Sequence, residues 1–252
     1  MITLTVGQLS LLCAGAMLGG AIFGVVGFAA GVIMSIFIHH AFSAPDVVFI
    51  VVGGAVVLNL GLLPRFWREI RWGEALPYLA GAFLGLPVGL WLLQHLDART
   101  IRAAVAVLIV AYGLFALRQQ SREPLRFTGA HGKAMDGSIG FTGGVIGGVS
   151  GLGPLVPGVW FGLRGLSKVE QRALTQPFGL CVQGFMVVWL VASSTVSRHA
   201  VEGLAIATPV MIAASWLGLR GFDRISTALF QKIVVFIAIG GALLLLARQL
   251  WS

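Results

Sequence analysis

The chain has 252 residues, 58% hydrophobic and only 10% charged, with a mean hydropathy of +0.95 and a formal net charge of +8. Its apolar residues come in blocks near twenty, the length at which a helix spans hydrocarbon, and this excludes a soluble domain. The basic residues fall between those blocks rather than on one soluble face, which excludes a nucleic-acid surface and suits cytoplasmic loops.

No Lys or Arg precedes Arg65, so the charged leader of a cleaved signal peptide is missing and 8–24 is expected in the mature protein. Eight apolar blocks follow, at 8–40, 44–64, 75–95, 100–118, 136–163, 168–193, 200–219 and 226–250. The first and fifth are longer and interrupted, at Gly24, Gly27 and Gly31, and at Gly147, Gly148, Gly151 and Gly153 followed by Pro154. The other six read as ordinary spanning helices. Trp67, Trp72, Tyr78, Trp91 and Trp251 lie near block ends, where amphipathic rings favour the headgroup zone. Only 119–134 is polar and long enough to link two halves, a first transmembrane repeat over 1–118 and a second over 135–252. Cys13 and Cys181 sit inside apolar segments without metal or redox spacing and read as packing residues.

The halves resemble each other at an offset of 124. Gly19, Gly20, Ile22, Gly24, Val25 and Gly27 meet Gly143, Gly144, Ile146, Gly148, Val149 and Gly151; Ser43 meets Ser167, and Asn59 meets Gln183. Their positive charges do not match. If every block crosses once, Lys and Arg divide nine against eight, which gives no orientation. If the first and fifth blocks instead enter and leave on one side, as re-entrant hairpins of two part-length helices, thirteen collect on one face and four on the other. The thirteen lie at 65–71, 118–133, 164–172 and 220–232. That is a positive-inside pattern, with both termini outside the cytoplasm. It gives each half an odd number of crossings, so the second is inverted. The expected fold is therefore all-α and polytopic: two inverted repeats, each a Gly-broken helix plus three spanning helices.

A break inside a membrane helix leaves backbone N–H groups free, and these suit an anion. Gly27, Gly31, Gly151 and Gly153 would let a ligand approach the backbone. Asn59 and Gln183, symmetry-matched amides deep in apolar blocks, could hold the oxygens of a small oxyanion; interhelical glue is the alternative. Gln176, Ser150 and Thr175 are further candidates of the same kind. The acidic residues, Asp46, Glu69, Glu74, Asp97, Glu123, Asp136, Glu170, Glu202 and Asp223, all lie at block ends or in loops. His39, His40, His95 and His199 come near a membrane face, and His131 falls in the linker. No buried coupling carboxylate, catalytic triad, zinc motif or phosphate-binding loop is visible, so neither an enzyme nor an ATP-driven pump is expected, and no cofactor or metal.

The run from Gly140 through Gly143, Gly144, Gly147, Gly148, Ser150, Gly151 and Gly153 to Pro154, with Pro157 and then 166–172, resembles the TauE/SafE sulfite-exporter family (also the 4-toluene sulfonate uptake permeases). The first-half counterpart at 19–31 with 42–46, the spacing of Gly81, Gly85 and Gly89, and the segment 97–113 resemble it too. Where that family often has three glycines in a row, this chain has Ala29, Ala30 and Gly31, and Gly153, Pro154 and Leu155. The resemblance implies a multi-pass transporter in the bacterial inner membrane, moving sulfite, sulfoacetate or another organosulfonate outward. A passive anion channel, and an importer of sulfonates or small carboxylates, are the alternatives. Its partners would be the small anion and the lipid bilayer, with no nucleic acid. Substrate, direction, coupling ion and a homodimeric state are left open by the sequence.

Overall fold

The computed structural model describes residues 4–39, 41–95, 97–119, 124–125 and 129–250; His40, Arg122, Glu123, Arg126 and Trp251 lie outside them. All regular structure in the described residues is helical. α1 (Val6–Val26) starts at Thr5, whose hydroxyl accepts the Gln8 N–H while the Gln8 side chain accepts the Thr5 N–H. It stops at Gly27, which takes the left-handed conformation (φ +87°) that closes helices. α2 (Ala30–Ile38) then runs back along α1. A Cβ on Gly19 would lie 2.9 Å from the Ala30 carbonyl oxygen, one on Gly15 3.2 Å from that of Met34. At the open end the Gln8 amide donates to the Ala41 carbonyl, so this segment enters and leaves at the same end of the molecule.

α3 (Ala44–Phe66), capped by Ser43, leads through one 3-10 turn (Trp67–Glu69) into α4 (Trp72–His95), and α5 (Ala98–Gln119) follows. α6 (Gly129–Ser150) and α7 (Leu155–Leu163) form a second reversal, through Gly151 at φ +73°. Arg164, just past α7, holds Asp136 of α6 through two hydrogen bonds of 2.8 and 2.9 Å. The chain ends with α8 (Lys168–Ala192), α9 (Arg198–Arg224) and α10 (Thr227–Leu250). By length and composition Val6–Val26, Pro45–Glu69, Trp72–His95, Lys168–Ala192 and Arg198–Arg224 can each cross a membrane.

The packing has a regular pattern. α1 lies on α9 and α6 on α4; α3 crosses α8, and α5 lies on α10. The first two contacts are backbone-close because glycines line them: a Cβ on Gly24 would collide with the Ser215 carbonyl, and one on Gly85 with that of Phe141. At one end, here the Arg65 end, Arg65 pairs with Asp223 at 2.7 Å, Arg71 with Glu170, and Lys168 Nζ donates to the Phe222 and Ile225 carbonyls. At the other, the Asp46 end, the buried Asp46 carboxylate accepts the Ser197 N–H at 3.2 Å.

Several expectations are corrected. The reversals are not built from two part-length arms: α1 has 21 residues and α6 22, and only α2 and α7, with 9 each, are short. Glycines inside the long arms are used for contact, so they do not break them; Gly24 faces α9, Gly147 meets Val182 and Gly148 meets Leu86. Tyr78 is no headgroup anchor but is buried, its hydroxyl bonded to Asp136, which also accepts from Trp160 Nε1. Residues 129–134 are helical and form the start of α6. Trp67, Trp72 and Trp91 are exposed.

Candidate functional site

The site begins with how α8 is made. Ser167 accepts the Glu170 N–H and Glu170 accepts the Ser167 N–H, a reciprocal cap that fixes the helix start and therefore its register. From that start, Arg172, Gln176, Gly179 and Gln183 recur at i, i+4, i+7 and i+11, a single stripe down one face. The stripe is turned inward, with Arg172 and Gln176 each at 0% exposure. Pro177, within α8, cannot donate to the Ala173 carbonyl and loosens the ladder beside this stripe.

At the α3/α8 crossing, near the middle of both helices, Asn59 Nδ2 donates to Gln183 Oε1 at 2.7 Å and to the Ala55 carbonyl at 2.9 Å. Gly179 makes room for this pair: a Cβ there would stand 3.1 Å from Asn59 Nδ2 and 3.5 Å from Gln183 Oε1. Asn59 Oδ1 and both side-chain atoms of Gln176 are buried without a hydrogen-bond partner among the described residues. Buried polar atoms in that condition are costly, and native structures keep few of them.

The structure thus brings Asn59, Gln183 and Gln176 onto one interior seam. Gly27 lies at the far end of it, beside Arg172: a Cβ on Gly27 would be 2.7 Å from Arg172 Nε. The other candidates lie elsewhere. Gly31 packs on Val51, and a Cβ on Gly153 would lie 2.6 Å from the Gly143 carbonyl oxygen. Gly151 has open space where a Cβ would be. The Ser150 hydroxyl donates to Ile146 O at 2.8 Å and the Thr175 hydroxyl to Gln171 O at 2.7 Å, so each is committed to its own helix.

Arg172 is the residue the sequence reading missed, because it was counted as a loop charge. It is the largest fully buried side chain described. Its Nη1 donates to the Gly24 and Val25 carbonyls at 2.7 and 3.1 Å, at the C-terminus of α1, where a cation suits the helix dipole. Its guanidinium lies over the rings of Phe66 and Phe222, at 4.8 and 5.1 Å. The signal was available: the cap at Ser167 places Arg172 inside a helix, four residues before Gln176.

The chain belongs to a known family. The description "Sulfite exporter TauE/SafE" matches residues 12–245, nearly its whole length, so this is a multi-pass membrane protein of a transporter family that exports sulfite or related anions. No curated protein and no solved structure matches it.

Proposed function

We propose that this member of the sulfite exporter family carries a small sulfur oxyanion, sulfite or an organosulfonate such as sulfoacetate, outward across the cytoplasmic membrane of a bacterium. We further propose that it does so at a site between two inverted repeats, 1–118 and 135–252. Equivalences at the offset of 124 support the repeats. Ser43 and Ser167 cap α3 and α8 with nearly the same backbone, φ −61° and −62°, ψ 157° in both. Gly27 and Gly151 both turn through positive φ, and the contact of α1 with α9 recurs as that of α6 with α4. A reversal plus three crossings is odd in each half, which turns the second half over. With the Arg65 end taken as cytoplasmic, the basic clusters all fall on that side.

One observation carries the reading: the equivalent amides Asn59 and Gln183 are bonded to each other at the crossing of α3 and α8. Residues related by an internal two-fold meet only near its axis, and inverted-repeat transporters bind there. Gln183 and Gln176 would supply N–H donors to the anion, and Gly27 and Gly151 close backbone approach. Ser150, Thr175, Gly31 and Gly153 would shape the helices around it. Export needs no coupling carboxylate, since each negative charge leaving a negative cytoplasm gains about 2.3 kcal/mol per 100 mV. A tenfold gradient costs only about 1.4 kcal/mol.

The test is flux of sulfite, thiosulfate and sulfoacetate into proteoliposomes under an imposed potential. Saturable flux that follows the potential is expected. Flux unchanged on reversing the potential would reject uniport, non-saturating flux would indicate a channel, and flux against the outward direction would indicate an importer.

A further inference from the structure

We infer that Arg172 is an anion-binding residue, set beneath the cytoplasmic entrance and using the free edge of its guanidinium to grip two oxygens of the transported anion. The inference rests on the anion-transport reading above and adds a residue to the site proposed there. The geometry of the guanidinium carries it. Nη1 is tied to the α1 carbonyls, whereas Nε and Nη2 are buried and have no partner among the described residues. Nε–H and Nη2–H point the same way and form the fork by which arginine takes a carboxylate or phosphate side-on. A sulfite or sulfonate group presents the same spacing of oxygens.

Its surroundings hold that fork ready. Phe66 and Phe222 fix the guanidinium plane, and the position beside Nε is a glycine, Gly27, where a Cβ would stand 2.7 Å from that atom. Among the described residues, the charges that act on Arg172 are those of Arg65 and Asp223, which are paired with each other at 2.7 Å. A helix cap alone would need only Nη1. A buried cation with three of its five N–H donors unused is a poor stabilising device, which argues that the missing partner is the solute.

The route to it is also visible. A surface depression of about 390 Å³ at the Arg65 end is lined by Arg65, Phe66, Glu69, Lys168, Phe222 and Asp223, among others. The two rings meet edge to face at 5.9 Å and form the floor, with Arg172 directly behind them. When they part, the anion meets Arg172 first and then Gln176, one turn further along the same stripe toward Gln183.

The test is calorimetry on detergent-purified protein with sulfite, sulfoacetate and inorganic sulfate as probes, paired with the flux assay. Arg172→Gln should weaken binding on the order of a hundredfold, as expected for losing a bidentate charge-assisted contact, and Arg172→Lys, which keeps charge but not the fork, on the order of tenfold. Wild-type affinity in folded Arg172→Gln overturns the inference; should that variant fail to fold, wild-type affinity in Arg172→Lys does so. Sulfur-anion flux without Arg172-dependent binding overturns this inference alone. Arg172-dependent sulfate binding without sulfur-anion flux overturns the transport reading alone.

Discussion

The two reversals of the chain, at Gly27 to Ala29 and at Gly151 to Pro154, occupy equivalent places and are furnished differently. The first is closed off by a buried cation: Arg172 sits against Gly27 and holds the last carbonyls of α1. The second has open space at Gly151 and a proline at the start of α7. The position equivalent to Arg172 in the first half is Val48, which is apolar. On the proposed repeat, the backbone recurs while the charge does not. A carrier with two identical halves would present the same affinity to both sides of the membrane. On the proposed reading, one unmatched arginine behind one entrance would make the Arg65 end the side at which an anion is first recognised.

The comparison can be broken hardest at the long arms. Gly24 and Gly148 are equivalent, but a Cβ on Gly24 would collide with the Ser215 carbonyl, whereas one on Gly148 would stand 2.8 Å from that of Leu86. Gly24→Val should abolish most folded protein in size-exclusion chromatography, and Gly148→Val should leave more, since forced overpacking costs about 1–3 kcal/mol or above. Next come the central amides. Asn59→Ala should leave Gln183 Oε1 without its donor and Gln183→Ala should remove the donors offered to the anion. Each is expected to lose stability of about 1–3 kcal/mol and most flux; wild-type flux in both would reduce the pair to interhelical glue.

Smaller effects separate the two turns themselves. Gly27→Ala and Gly151→Ala both force a side chain into the left-handed region at a cost of about 1–2 kcal/mol. Gly27→Ala should be the worse of the two in thermal unfolding, because its methyl also presses on Arg172; equal losses would dissolve the asymmetry. Least of all, Ala29 already holds a positive φ of 72°, so Ala29→Gly should raise stability by about 1 kcal/mol.

Much of this was legible because local chemistry dictated it. Ser43 and Ser167 mark the starts of α3 and α8, and the apolar runs after them set the lengths. The offset of 124 pairs Asn59 with Gln183, and these two amides meet in the structure. Other features were hidden for identifiable reasons. Glycines that break a helix and glycines that let helices touch look alike in sequence, so Gly24, Gly147 and Gly148 could not be told from Gly27 and Gly151. A hydroxyl bound to its own helix, as in Ser150 and Thr175, resembles one offered to a ligand. Arg172 was obscured by its neighbours, because a charge four residues from a loop ordinarily snorkels outward.

The most direct test of the inverted arrangement is sidedness. In a Cys13→Ser/Cys181→Ser background, single cysteines replacing Lys133, Arg220 and Ser197 would be probed in intact cells with a membrane-impermeant maleimide. The account predicts that positions 133 and 220 stay unlabelled until the cells are broken, whereas position 197 is labelled at once. Labelling of 133 and 220 from opposite faces would contradict it.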